Sequence, residues 1–341
     1  MDPRIEKWLQ VIDRYYLSDF IGSGGSAFKL LLTRDDGQTQ EALRGLKGLA
    51  EEHGYFYAHV SAAETRVDRI DQVFFAVASQ ADWNKLAERC ATDLLERLNY
   101  IRPHGASLSD LDAIADASGC TKEDLTRTIR RRITDEIGQS TKMCKDFRTA
   151  LSQLYYSQFF PSNVEPKEAD ILVGWLRGEK VSLASLNRLG ISSRIDRYNA
   201  RDMITALAHQ MAKFNDKGIV IGLDLGALLI PRASREPFQL ASHQMLGYDT
   251  GVTQSENAPS SLHYPRGRFL DACEVLRQFI DDLDEITHCL ICCVGPSSLE
   301  THEKQSLFSY LALQYRLFDD VHDRDTPNLL APVVRLADVS Y

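Results

Sequence analysis

No stretch of this 341-residue sequence approaches the roughly 18 uninterrupted apolar residues that a membrane-spanning helix requires, so no transmembrane segment is expected. A basic excess is also lacking. Lys and Arg number 39 against 48 Asp and Glu, for a formal net charge of −9, which excludes a surface that grips duplex DNA all over. No secretory leader is expected, and the seven cysteines (90, 120, 144, 273, 289, 292 and 293) are odd in number and scattered. Reduced thiols in a cytoplasmic protein are therefore expected. Cys289 and Cys292 have the two-residue gap of zinc sites, but no second pair follows, and their run from His288 to Val294 reads as a buried strand. His209, His243, His263, His302 and His322 show no metal spacing backed by carboxylates, and no internal repeat is visible. What remains, 44% hydrophobic and 26% charged, is an ordinary globular composition.

Strands and helices alternate along the chain. Ile5, Trp8, Leu9 and Ile12 repeat at helical spacing. An aromatic-rich run over 14–21 stops at Gly22-Ser-Gly-Gly-Ser26, and 27–33, with Phe28, Leu30, Leu31 and Leu32, reads as a helix. Strand, glycine loop, helix is the expected layout there. Further helices are expected over 40–53, 70–81, 83–98, 108–137 (two, parted at Gly119-Cys120), 145–160, 167–177, 199–214 and 269–283. Strands are expected over 55–60, 218–224, the cysteine run and 332–336. The Pro-, Ser- and Gly-rich residues 231–267 predict a long surface loop. This alternation implies an α/β fold with a mainly parallel sheet covered by helices on both faces. The core is expected over 1–82 and 181–341, with a helical insert over 83–180.

A working phosphate loop turns backbone amides inward on glycines, sets a lysine on the β/γ-phosphates and a Ser/Thr hydroxyl on Mg²⁺. The window that keeps the hydroxyl is Asp19-Phe-Ile-Gly-Ser-Gly-Gly-Ser26, with Gly24 and Ser26 in place but Gly25 where lysine belongs. Starting at Gly22 instead puts Phe28 at the lysine and Lys29 at the hydroxyl. In either register Gly22, Ser23, Gly24, Gly25 and Ser26 form a vestigial loop, and Lys29, about one helical turn on, is the candidate substitute cation. Loss of that ammonium costs at least roughly a thousandfold in rate. A second catalytic segment ends in Asp224, a candidate Mg²⁺ ligand together with Ser26, but Leu225 follows where many such ATPases carry a water-polarising glutamate.

Three stretches of the second half carry a resemblance: Trp175-Leu-Arg-Gly-Glu-Lys-Val181 with Leu189-Gly-Ile-Ser-Ser-Arg-Ile-Asp196; Asn199-Ala-Arg-Asp-Met-Ile-Thr-Ala-Leu-Ala-His209; and Leu311-Ala-Leu-Gln-Tyr-Arg-Leu317 with Ala331-Pro-Val-Val-Arg-Leu336. The chain resembles the ATP-binding proteins of BREX-type phage-defence systems, whose P-loop NTPase domain is AAA+-like or origin-recognition-like. The resemblance implies that fold, other defence-system proteins such as an ATPase or helicase as partners, and ATP and Mg as ligands of an intact site. It departs at the Gly-Lys-Ser/Thr triplet and at the Asp-Glu pair. Gly295-Pro-Ser-Ser298 stands where the family places a polar sensor, and relatives continue beyond Arg335 into a lid and winged helix. No bound cofactor is therefore expected unless the site is residual, and a pseudo-ATPase scaffold is expected rather than an enzyme. The competing expectation is a divergent ATPase that borrows a cation, from Lys29 or from Arg194, Arg197 or Arg316 across a subunit interface.

Residues 108–133 have the spacing of a helix-turn-helix unit, with Thr121 able to cap the second helix. Arg127, Arg130 and Arg131 share one face and are the candidate phosphate contacts of a DNA-binding adaptor. A helical insert whose arginines are solvated or paired with Asp124 and Glu136 is the favoured reading.

Overall fold

A computed structural model of the chain describes residues 2–141, 143–162, 166–215, 217–229, 262–317 and 328–336. Helix α1 (Pro3–Val11) runs into a wide-turned helical stretch, Ile12–Phe20, and the chain then turns into strand β1 (Ser26–Thr33). Two residues later α2 (Asp36–Glu52) begins, followed by β2 (Phe56–Ser61) and α3 (Ile70–Ala78). A helical series comes next: α4 (Trp83–Arg97), α5 (Leu111–Ser118), α6 (Lys122–Ile133), α7 (Lys145–Phe159), α8 (Pro166–Leu176), α9 (Leu183–Arg188) and α10 (Ala200–Asn215). The chain returns to the sheet through β3 (Ile219–Asp224), α11 (Arg266–Asp281), β4 (Cys289–Pro296), the short α12 (Ser298–Thr301) and α13 (Leu311–Gln314), and β5 (Val333–Arg335).

The five strands are all parallel, in the order β2-β3-β4-β1-β5. From β1 the chain crosses past two strands to reach β2, an all-parallel arrangement consistent with a P-loop NTPase-like α/β fold. Alternate side chains feed two separate cores. Leu31, Val220, Leu290, Cys292 and Val334 pack with α1 and α2 on one face. Leu30, Leu32, Ile221, Leu223, Ile291 and Cys293 pack on the other face with α3, α11 and the helical series. Burial on both faces is why β3 and β4 read as continuous apolar runs rather than alternating ones, and why β1 does so but for Lys29.

The beginning of the chain differs from the sequence expectation. The run over 14–21 is helical, and 27–33, expected as a helix, belongs to the interior strand β1. A short continuous apolar run does not by itself distinguish a doubly buried strand from a helix. Of the surface loop expected over 231–267, residues 231–261 lie outside the described residues, as do His243 and His322, while Arg266 and Gly267 belong to α11.

Candidate functional site

In an open parallel sheet the ligand crevice lies at the carboxyl ends of the strands, where the following helices begin. Here β1 ends at Thr33, and Asp35, with extended backbone at φ −152°, caps α2 by accepting the Gln38 N–H at 2.9 Å. The first turn of α2 contains Gly37-Gln38-Thr39. Against the phosphate-loop template this places Gln38 at the lysine and Thr39 at the hydroxyl, with Leu32 at the first glycine. The loop between strand and helix is only Arg34 and Asp35, too short to wrap a diphosphate in backbone amides.

The polar groups of this turn are engaged with one another. The buried Gln38 accepts the Arg34 N–H at 3.0 Å and donates to Asp2 Oδ2 at 2.7 Å, an oxygen that also receives Arg34 Nη2 at 2.8 Å. The Arg4 N–H donates to Asp2 Oδ1 at 2.8 Å, and this bond, with Arg34 and Gln38 added, holds the Asp2 carboxyl below the usual carboxylate range. The Thr33 and Thr39 hydroxyls lie 2.6 Å apart and reach the carbonyls of Gly295 and Asp35. On β3 the buried Asp224 accepts Gln40 Nε2 and the Gly226 N–H, both at 2.8 Å. A Cβ on Gly226 would lie 3.1 Å from Asp224 Oδ1 and 3.6 Å from Asp36 Oδ1, so two carboxylates border the same gap. Leu225 is wholly buried, with its N–H bonded to Val294 O.

This donor set does not fit a triphosphate. The helix amide that would meet a phosphate is capped by Asp35, the nearest guanidinium is held by Asp2, and Asp2, Asp35, Asp36 and Asp224 surround the turn with negative charge. Among the described residues, no group of three or more His, Cys, Asp or Glu could hold a metal ion.

The glycine cluster lies at the opposite end of the sheet. Ser26 is the first residue of β1, and its hydroxyl donates to Ile286 O at 2.5 Å. In the sheet register Ser26 is level with Ile219 and Asp224 with Leu31, so five residue steps, roughly 17 Å at 3.3 Å per residue, separate Ser26 from Asp224 along the strands. Ser26 and Asp224 therefore cannot share one Mg²⁺, and Gly22, Ser23, Gly24 and Gly25 do not line the crevice. Their role is local. A Cβ on Gly25 would meet the Phe20 carbonyl at 2.6 Å and its ring at 2.7 Å, and Gly24 holds φ at +107°. Lys29 is 2% exposed within β1. Its ammonium donates to the carbonyls of Ala331 (2.5 Å), Leu330 (2.8 Å) and Leu329 (3.3 Å) and to Tyr16 Oη (3.2 Å), and it lies 4.9 Å from the Tyr16 ring centroid. It cannot substitute for a phosphate-loop lysine, because β1 directs it to the turn before β5.

Helices α5 and α6 form the expected pair. Gly119 ends α5 at φ +66°, Thr121 caps α6 by accepting the Asp124 N–H, and Leu125, Ile129 and Ile133 are buried. The outward arginines are paired locally: Arg127 with Asp124 at 2.6 Å and Arg131 with Asp135 at 3.7 Å, while Arg130 lies 4.9 Å over the Phe160 ring. Two of the three arginines thus already have a carboxylate partner on α6 or in the turn after it. The distinctive residues before α10 are structural. Asp146 accepts the backbone N–H and the hydroxyl of both Ser192 and Ser193, and Trp175 Nε1 donates to Ser193 O at 3.1 Å. Arg194 donates to Val181 O, Arg197 to Tyr198 Oη, and Arg316 pairs with Asp281.

Sequence reasoning missed Gln38, Thr39, Asp35 and Asp2. The signal was Gly37-Gln38-Thr39, separated by four residues from the apolar run before it, the tail of the phosphate-loop template with one substitution. A family model described as "BREX system ATP-binding protein BrxC/D" matches residues 46–233, more than half of the chain. The match begins within α2 and includes Asp224, whereas the turn at Gly37–Thr39 lies outside it. No curated protein and no solved structure matches the chain. No described helix is long and apolar enough to cross a membrane.

Proposed function

The chain belongs to the BREX-system ATP-binding BrxC/D family, and from that premise we propose that it is a subunit of the defence system that keeps the P-loop fold without ATP turnover, serving as a scaffold or regulatory partner for other components. One observation carries this reading: Gln38 stands where the transferring lysine belongs and is hydrogen-bonded to the carboxylate of Asp2 rather than left facing the crevice. An uncharged amide beside four carboxylates supplies none of the electrostatic stabilisation on which phosphoryl transfer depends. Leu225 compounds the loss, since an aliphatic residue wholly buried after Asp224 cannot orient a water.

Two measurements test the proposal. Calorimetry with ATP and Mg²⁺ on the purified chain is expected to give no heat of binding, and phosphate release is expected to match a Thr39→Ala control with and without DNA. Turnover above that control would overturn it. The cytoplasm, the compartment of the defence-system partners, is the proposed location.

A further inference from the structure

Strand β2 is an edge of the sheet. The Phe56 N–H donates to Gly218 O at 3.0 Å and the Ala62 N–H to Asp224 O at 2.9 Å, which fixes the residues whose peptide groups face β3. By the alternation of a strand, Tyr57, His59 and Ser61 direct theirs outward. The Ser61 carbonyl accepts the N–H groups of Glu64 and Thr65, so the chain folds back over that end of the edge. At the centre, His59 has a side-chain partner. Its N–H donates to Gln80 Oε1 at 3.0 Å, and Gln80 Nε2 donates to the His59 carbonyl at 2.8 Å. The amide of Gln80 is fixed in turn by donating to Ala76 O at 2.7 Å.

A glutamine amide offers the same donor and acceptor as a peptide group, so this reciprocal pair reproduces one step of a neighbouring strand. The sequence of β2, Phe-Tyr-Ala-His-Val-Ser, has none of the lysines or prolines that usually guard an exposed edge. His59 and Gln80 are both exposed, so no other described element covers the pair. We propose that Gln80 is an edge cap that keeps β2 closed to strand addition by a second copy of this chain. The latent contact is β2 against β2, antiparallel about a two-fold axis at His59. Such a pairing is self-complementary, and it would join two five-stranded sheets into one.

Gln80→Met keeps the size of the side chain and removes both hydrogen bonds. Its His59 amide is expected to exchange with deuterium at least about tenfold faster than in the wild type. Sedimentation velocity from low to several hundred micromolar is expected to show a concentration-dependent association step that the wild type lacks. Adding His59→Lys, which sets two like charges about the proposed axis, is expected to abolish that step. Should Gln80→Met fail to fold, Gln80→Leu carries the same test, since it too offers neither a donor to the His59 carbonyl nor an acceptor to its N–H. Unchanged exchange at His59, sedimentation identical to the wild type at every concentration, or association that persists with His59→Lys would each overturn the proposal.

Discussion

Replacing Lys29 by Met separates a lysine that serves a ligand from one that serves the fold. The ammonium is almost completely buried and donates to three main-chain carbonyls and a phenol. Hydrogen bonds from a charged group are worth about 1.5–3 kcal/mol each when made, but the lysine loses hydration of several kcal/mol on burial. The carbonyls of Leu329 and Leu330 lie at a partly exposed turn and regain water when the ammonium goes, whereas the Ala331 contact is buried. The net loss is therefore set mainly by Ala331 and comes to about 2–4 kcal/mol. With an unfolding entropy of about 2.1 cal/mol/K per residue, the 341 residues give about 0.7 kcal/mol/K, and the melting temperature should fall by about 3–6 °C. Differential scanning calorimetry reads that fall, and ATP titration should read the same heat for variant and wild type. An unchanged melting temperature together with a lost heat of ATP binding would show that the ammonium faces a nucleotide and that its carbonyl cluster is not what holds it.

Four further outcomes are expected. Gln38→Lys should not create ATP turnover, because Asp35 still caps α2 and the carboxylates remain; phosphate release above the wild type would show that one missing cation was the whole defect. Gly25→Ala should lower stability by about 1–3 kcal/mol through the contact with Phe20, read as a shift in the denaturation midpoint with no change in m. The Glu274 carboxyl is pulled down to about 2, first by Arg277 and then by Tyr310 and Gln278. Its contribution is therefore complete above the ordinary value of 4.5 and is lost as pH falls from there toward 2, so the stability gap between wild type and Glu274→Gln should close across that window in acid denaturation. Because Arg127 and Arg131 are paired with Asp124 and Asp135 and Arg130 lies over Phe160, neutralising the three together should leave the retention of duplex DNA at low salt unchanged; a loss of salt-sensitive binding in that triple variant would show that the arginines reach phosphates.

Much of the fold was legible because its signals are local. Residues 218–224 read as a buried strand with an aspartate at its end, and Gly119 with Thr121 marked the turn between α5 and α6 through their own caps. The parallel sheet followed from the alternation of strands with helices. The start of the chain misled for a reason that is also physical. Lys29 interrupts the apolar run Phe28–Leu32 and favours a helical reading, yet the three carbonyls that hold it are about 300 residues away in sequence, so the buried ammonium is not announced locally. The glycines at 22, 24 and 25 imitate a phosphate loop because a tight turn around Phe20 and an anion cradle ask for the same missing Cβ. The position of the degenerate phosphate turn depended on finding β1, and Asp2 entered it only through the packing of α1 beside α2.

The outer edge of β1 is covered by three residues of β5, and the segment around them is tied back to the opening of the chain by Arg4 on the Leu336 carbonyl and Tyr16 on the Leu330 carbonyl. Every one of these links spans more than 300 positions. On a ribosome, β1 must wait with one flank bare until residues 333–335 have emerged, so that flank closes only after the other strand pairings described have become possible. During that interval the newborn chain presents an open strand to its surroundings, which is the stage at which a holding chaperone has most to shield.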